Sequence, residues 1–349
     1  MSSNDQLVFV VPGDINTRTG GYRYDKRIIE ELRTQGRQVL LVELEGDYPH
    51  PTAAQLAKAD RAFDAITDSS QVVIDGLAYS VMPRQLAKHA NRLKLIALIH
   101  HPLALETDLT PAQRHSLKEL ETASLAFAHQ VITTSESTAE ALSQYDVDAS
   151  RIIAVCPGVD AATIATNLNS EALQLLCVAT LTPRKGHSIL LNALKLIDNE
   201  NWHLNCAGSL KRAPQTSDQL IAQRAHLGLN ERITFLGELE DHDLDKQYQQ
   251  ADVFVLPSFH EGYGMVLDEA ISYGLPIIAS DAGAIPHTMP EGTGLLVPPG
   301  DPQALARALF QIITNKNARS NMRKQALVAR SSQRSWSQAG LDFKAALDQ

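Results

Sequence analysis

Residues 251–288, ADVFVLPSFHEGYGMVLDEAISYGLPIIASDAGAIPHT, restrict this chain more than any other stretch. The apolar run 253–256 has the length and branching of a buried strand, and a Pro-Ser-Phe-His loop follows it. Near Tyr263 a helix begins, and a second apolar run at 276–279 starts another strand before a further glycine-containing loop. Strand, helix and strand in such close succession form the unit of a parallel sheet covered by helices. Glu261 lies in the loop, and Glu269 lies about one and a half to two turns into the helix, at ~3.6 residues per turn. Between them, Gly262 and Gly264 let backbone N–H groups approach a ligand, and a helix N-terminus attracts anions. Acids beside an anion site make sense if they bind something else. Vicinal sugar hydroxyls, which donate hydrogen bonds to carboxylates, are the obvious candidates.

The chain opens with the same unit. Residues 7–11 (LVFVV) read as a buried parallel strand, and from Tyr22 the spacing is helical, with Ile28, Ile29 and Leu32 on one face and Gly36 closing the helix. Residues 39–42 begin the next strand. The loop between carries Gly20-Gly21. A nicotinamide fingerprint needs G-x-G-x-x-G, and the interval from Gly13 to Gly20 does not fit it. A glycine pair at a helix mouth lets a diphosphate or a sugar pass close to the backbone; the plain alternative is a flexible connection. Residues 72–74, 95–99, 131–133 and 152–155 read as further strands. The run 95–99 delivers His100-His101-Pro102 to the carboxyl end of a strand, where open α/β sheets bind ligands. Two adjacent histidines there place at least one toward a ligand. In 83–94, Arg84, Lys88 and Arg92 recur every four residues, a stripe suited to anionic lipid headgroups, although a solvated helix face is the commoner cause.

A second set of strands starts at 173–178. Arg184 and Lys185 precede Gly186 and a helix over 187–197, so two cations and a helix N-terminus converge where a diphosphate would fit. Residues 203–206 form a strand that turns at Ala207-Gly208-Ser209, and 233–236 end at Gly237. Asp241-His242-Asp243 precedes a helix over 244–250, so one of the two Asp residues reads as its N-cap rather than a metal ligand. With two cations already facing the diphosphate, no metal is expected. Asp301 caps a helix that has Pro302 in its first position.

At 349 residues the chain is long enough for two domains with separate cores. A net charge of −9 argues against a nucleic-acid partner. The polar start of the chain carries no secretory signal, no apolar run reaches the ~18 residues of a membrane span, and Cys156, Cys177 and Cys206 are irregularly spaced. Reduced thiols and a cytoplasmic location are expected, with peripheral contact on an anionic membrane left open by the basic stripe.

Together these residues resemble the donor-site signature of retaining glycosyltransferases of the GT4-like family, glycosyl transferases group 1. The match is an E-x7-E at Glu261 and Glu269, the glycines between them, and the downstream GLPIIASDAGAIPH. The resemblance implies an α/β chain of GT-B fold, two Rossmann-like doubly wound domains facing a central cleft. Residues 1–165 would bind the acceptor and 166–325 the nucleotide sugar. Residues 326–349 would be helices returning to the N-terminal domain, with Trp336 as their anchor. CPGVD, at 156–160, resembles the segment that closes the first domain, and Ser135 the family's strand-end serine, unless it is only an N-cap.

The same resemblance implies the roles. Arg184 and Lys185 hold the diphosphate and stabilise the charge that develops on it. Gly208 belongs to the nucleotide loop and Gly20-Gly21 to the passage for the donor. Glu269 takes the ribose hydroxyls. Glu261 holds the donor sugar with Gly262, Tyr263 and Gly264, where Met265 and Val266 open the helix. His100 touches the sugar from the other domain, with His101 as the competing register. The implied catalytic group is therefore His100, Arg184, Lys185 and Glu261. The reaction would move a hexosyl group, with retention, from a nucleotide diphosphate sugar (UDP-sugar ahead of GDP-sugar) to a hydroxyl on a glycan, a lipid or a small molecule. It needs no cofactor and no metal. A nucleotide-sugar epimerase, a phosphorylase or a non-catalytic nucleotide-sugar-binding subunit on the same frame are the competing readings. Loss of Arg184, Lys185 or either glutamate would favour the last, and all four are present.

Overall fold

A computed structural model of the chain describes residues 6–165 and 172–349. The polar residues 1–5 and residues 166–171, within the expected interdomain stretch, lie outside the described residues. The chain divides into two compact units, Met1–Gly158 with Arg334–Gln349, and Val159–Gln333.

The first unit contains β1 (Gln6–Pro12), β2 (Gln38–Leu44), β3 (Gln71–Asp75), β4 (Lys94–Ile99), β5 (Gln130–Thr133) and β6 (Ile152–Ala154). They form one sheet in the order β2-β1-β3-β4-β5-β6, parallel at every pairing. β1, β3, β4 and β5 are buried along nearly their whole length, so their apolar residues are continuous rather than alternating. Helices covering both faces of a parallel sheet produce that pattern. The strand order reverses between β1 and β3, and the carboxyl ends of such strands form a ligand-binding crevice.

The helix Gly20–Thr34 starts earlier than the apolar spacing indicates. Thr19 is its N-cap, accepting from the Tyr22 N–H, so Gly20 and Gly21 form the first turn rather than the preceding loop. Its buried side chains include Tyr24, Asp25, Ile28, Ile29 and Leu32. The last helix, Trp336–Leu347, packs on it: Trp336 meets Tyr24 edge-on at 6.0 Å, and the Arg27 guanidinium sits 5.2 Å from the indole centroid. Ser135 is an N-cap, accepting from Thr138 N–H. The basic stripe does not form one helical face. The helix covers Pro83–His89, which leaves Arg92 beyond it. Lys88 lies 2.9 Å from both Asp60 and Asp64, and Arg92 lies 2.9 Å from Asp68.

The second unit repeats the plan with β7 (Leu173–Val178), β8 (Trp202–Ala207), β9 (Ile233–Gly237), β10 (Val253–Leu256), β11 (Ile277–Ser280) and β12 (Gly294–Val297). Its order is β12-β11-β10-β7-β8-β9, again fully parallel. Here the reversal falls between β7 and β10. Two expectations change. The helix Asp241–Gln250 begins three residues before Leu244, with Glu240 at its N-cap and no side-chain cap, so Asp241 and Asp243 occupy its first turn and favour it through the helix dipole. The helix expected from Tyr263 begins at Met265, because Gly264 has a left-handed backbone (φ +90°) that ordinary side chains avoid. Asp301 does cap the helix Pro302–Thr314, accepting from Gln303 and Ala304 N–H at 2.9 Å. The three cysteines are free thiols, two of them buried. No helix among the described residues is long and apolar enough to cross a membrane. The fold class is α/β, GT-B, with two Rossmann-like doubly wound units.

Candidate functional site

In the second unit, β7 and β10 are parallel neighbours at the reversal point, so the loops that follow them leave from the same carboxyl end of the sheet. The loop after β7 makes a 3-10 turn over Pro183–Lys185 and enters the helix His187–Lys195. The loop after β10 runs from Pro257 to Glu261. Backbone and side chains fasten them together. Phe259 N–H donates to the Arg184 carbonyl at 2.8 Å, and Arg184 Nη1 donates to the His260 carbonyl at 2.7 Å. Lys185 Nζ donates to both Glu261 oxygens, at 2.6 and 2.8 Å, while Arg184 Nη1 lies 3.5 Å from Oε2.

Glu261 is only 6% exposed. Burial alone would push its carboxyl up, but the Lys185 and Arg184 charges outweigh that and hold it at about 2. It is therefore ionised at neutral pH, able to accept hydrogen bonds and with no proton to donate. Its backbone is fixed by Gly283, whose φ is +57°. Ala284 N–H donates to the Glu261 carbonyl at 2.9 Å, and a Cβ on Gly283 would overlap that carbonyl oxygen and lie 2.9 Å from the Glu261 nitrogen.

Glu269 sits in the second turn of the helix Met265–Ser272, nine-tenths buried, and accepts from Tyr248 Oη at 2.8 Å. The two glutamates thus have different partners, Lys185 for one and Tyr248 for the other. Tyr263, half-buried, donates through its hydroxyl to Asp268 Oδ2 at 2.7 Å, while its carbonyl accepts from Thr288 Oγ1 at 2.7 Å. Burial raises the Asp268 carboxyl to about 6. Gly262 precedes this turn. Met265 and Val266 are half-buried at the helix start, where the first N–H groups have no partner within the helix. Gly208 follows β8, the neighbour of β7 away from β10, and its N–H donates to the Gly237 carbonyl at 2.8 Å.

In the first unit, His100 leaves the end of β4 and turns Nε2 toward two buried carboxylates. Asp25 Oδ1 is 3.1 Å away and Asp75 Oδ2 is 3.2 Å away. Asp25 comes from the helix that follows β1, and Asp75 ends β3. Desolvation would lower the imidazole, but the Asp25 and Asp75 charges and hydrogen bonds raise it to about 10. Burial, with Asp75 alongside, raises Asp25 to about 7. These shifts favour an imidazolium at neutral pH, with Asp25 about half ionised beside it. The three ligating atoms lie within 4.8 Å of one another, so this is also the one group among the described residues with metal-ligand spacing. Gly21 permits the arrangement: a Cβ there would meet the His100 ring at 3.3 Å. Gly20 faces open space. His101 points elsewhere, to Glu106 at 2.7 Å.

The structure therefore gathers Arg184, Lys185 and Glu261 into one cluster and places His100 in another with Gly21. Four participants were not singled out from the sequence, although Gly283 lies inside the GLPIIASDAGAIPH stretch at 274–287. Asp25 and Tyr248 sit inside ordinary amphipathic helices, Asp75 reads as a strand-end acid, and Gly283 is one glycine in a glycine-containing loop. Their partners are 75, 21, 25 and 22 residues away, from the numbering of His100, Glu269, His100 and Glu261.

The comparisons with known proteins fit this geometry. Residues 160–328 match the family model described as glycosyl transferases group 1, and residues 72–163 match that of glycosyltransferase family 4. A D-inositol 3-phosphate glycosyltransferase of Corynebacterium efficiens is 30% identical over 56% of this chain and 50% of that protein. One of a Mycobacterium species is 34% identical over 49% of this chain and 41% of that protein. The chain spans about half the length of these curated relatives. Among solved structures, a sucrose-phosphate synthase from Thermosynechococcus elongatus superposes with a TM-score of 0.83 at 22% identity, covering 97% of this chain and 98% of that one. An Anabaena protein solved with UDP and glucose gives 0.75 at 18% identity, covering 98% of this chain and 99% of that one. The structural likenesses show the fold, the two family models cover both units, and the chain belongs to the GT4-type glycosyltransferases of group 1.

Proposed function

We propose that this protein transfers a hexosyl group from a nucleoside diphosphate sugar, a UDP-sugar before a GDP-sugar, to an acceptor hydroxyl with retention of anomeric configuration. The observation that carries the proposal is the Arg184–Lys185–Glu261 cluster at the strand-order reversal of the second unit, with Glu269 on the next helix. Open α/β sheets bind ligands at that position, and two adjacent cations beside a helix N-terminus suit a diphosphate. The family and the UDP held by the Anabaena neighbour support the same donor class.

Arg184 and Lys185 bind the diphosphate and stabilise the charge that grows on it as the bond from the anomeric carbon to the phosphate oxygen breaks. The acceptor oxygen bonds that carbon on the face the phosphate is leaving. The acceptor proton passes to the departing phosphate oxygen. Glu261, ionised throughout, accepts hydrogen bonds from the sugar hydroxyls and orients Lys185. Glu269 accepts from the ribose hydroxyls. No metal takes part, because the two cations do its work. The acceptor is a glycan, a lipid or a small molecule.

The test compares Glu269→Ala with Arg184→Ala. The first weakens nucleotide binding; the second cuts turnover more than affinity, by about 10²–10³-fold if Arg184 acts mainly in the transition state. Wild-type behaviour in both variants would remove the assignment.

A further inference from the structure

We infer that Tyr248 is a positioning residue for the nucleotide ribose, acting through the Glu269 carboxylate. The inference rests on the reading of Glu269 as the ribose ligand. The torsion that turns a glutamate carboxyl is soft, so a carboxylate that must meet two adjacent hydroxyls needs something to hold its plane. Tyr248 supplies this with a hydrogen bond from Oη to Oε2 at 2.8 Å.

The phenol is itself immobile. Tyr248 is 2% exposed and belongs to the helix Asp241–Gln250, which leads into β10. Its ring stacks with two others, Tyr273 at 4.8 Å and 5° and Phe254 of β10 at 5.9 Å and 22°. Tyr273 is tethered in turn, its hydroxyl donating to Asp245 on the same helix as Tyr248. The Glu269 backbone is held as well: its carbonyl accepts from Ser272 Oγ at 2.7 Å and from Tyr273 N–H at 3.2 Å. The carboxylate is thus held through Tyr248, and the Glu269 backbone through Ser272 and Tyr273. A hydroxyl this deeply placed is dispensable for the ring stack, since phenylalanine would stack equally well. What the hydroxyl adds is the orientation of Glu269.

The experiment uses the full chain and measures dissociation constants for UDP, GDP and ADP, each beside its 2′,3′-dideoxy counterpart, in wild type, Tyr248→Phe and Glu269→Gln. The quantity read is the ratio of the two constants for the nucleotide that binds best. In wild type the ribose form binds more tightly, Glu269→Gln collapses the ratio, and Tyr248→Phe lowers it by roughly tenfold while the dideoxy form binds as before. A merely structural tyrosine would weaken both nucleotides equally and leave the ratio unchanged. An unchanged ratio in Tyr248→Phe, with discrimination intact in wild type and lost in Glu269→Gln, overturns the role of Tyr248 and leaves the ribose assignment standing. No discrimination in wild type overturns the ribose assignment and this inference with it. Melting temperature and near-ultraviolet circular dichroism confirm that the variants fold.

Discussion

Lys185 donates to both carboxylate oxygens of Glu261, at 2.6 and 2.8 Å, across 76 residues of sequence. The pair is nearly closed to solvent, with side-chain exposures of 16% and 7%. It joins the loops that follow the two central strands of the second unit, and it sets the cation proposed for the diphosphate against the carboxylate proposed for the sugar. Breaking such a pair from one side is costly because the remaining charge stays buried.

Lys185→Ala is expected to destabilise the second unit by about 3 kcal/mol, toward the lower end of the range for broken buried pairs, because Arg184 Nη1 remains 3.5 Å from Glu261. Adding Glu261→Gln recovers part of the loss. The two tryptophans fall in different units, so Trp202 fluorescence in a Trp336→Phe background reads this unit alone during urea unfolding. Strictly additive effects in the double-mutant cycle would contradict the coupling.

The first unit is expected to lose stability as the pH rises from 7 to 10. His100 is raised from 6.5 to about 10, so its contribution is complete below 6.5 and disappears as the pH climbs through 10. Asp25, raised from 3.8 to about 7, acts in the same direction over the lower window from 3.8 to 7. Asp75→Asn removes one of the anions beside the imidazole, so the alkaline loss still begins above 6.5 but ends at lower pH and is smaller. Trp336 fluorescence in a Trp202→Phe background follows it. A flat wild-type profile, or the same profile in the variant, would contradict the imidazolium assignment.

Gly283→Ala is expected to cost at least ~1–2 kcal/mol, the penalty for an L-residue in left-handed backbone. A larger cost is expected if the Glu261 carbonyl must move to avoid the new Cβ. Donor binding should weaken alongside, since the displaced backbone carries Glu261. Calorimetric titration with the nucleotide sugar checks this; unchanged affinity in a folded variant would sever Gly283 from the site.

What the sequence made legible followed from short-range signals. The continuous apolar runs of β1, β4 and β10 announced a buried parallel sheet, and Glu261, Arg184 and Lys185 stood in recognisable loop contexts between strand and helix. Boundaries failed where one residue decides them: Thr19 captures Gly20 and Gly21 into the helix, and Gly264 delays the next helix to Met265. The basic stripe at 83–94 looked continuous because periodicity cannot show that the helix stops at His89 or that Asp60, Asp64 and Asp68 take up Lys88 and Arg92. Asp25, Asp75 and Tyr248 were invisible for the same reason. An acid inside a helix and a tyrosine on a helix face acquire a role only when another element packs against them.

The most direct measurement is a thermal-shift panel of the full chain with UDP, GDP, ADP and their common sugar conjugates, with and without EDTA, repeated on Lys185→Ala and Glu269→Ala. At ~100 times its dissociation constant, a ligand that binds only the folded state adds ~2.7 kcal/mol, a readable shift. One nucleotide and its sugar conjugate are expected to stabilise the protein, EDTA to change nothing, and both substitutions to diminish the shift. No stabilisation by any nucleotide, or a shift indifferent to both substitutions, would contradict the donor-site assignment.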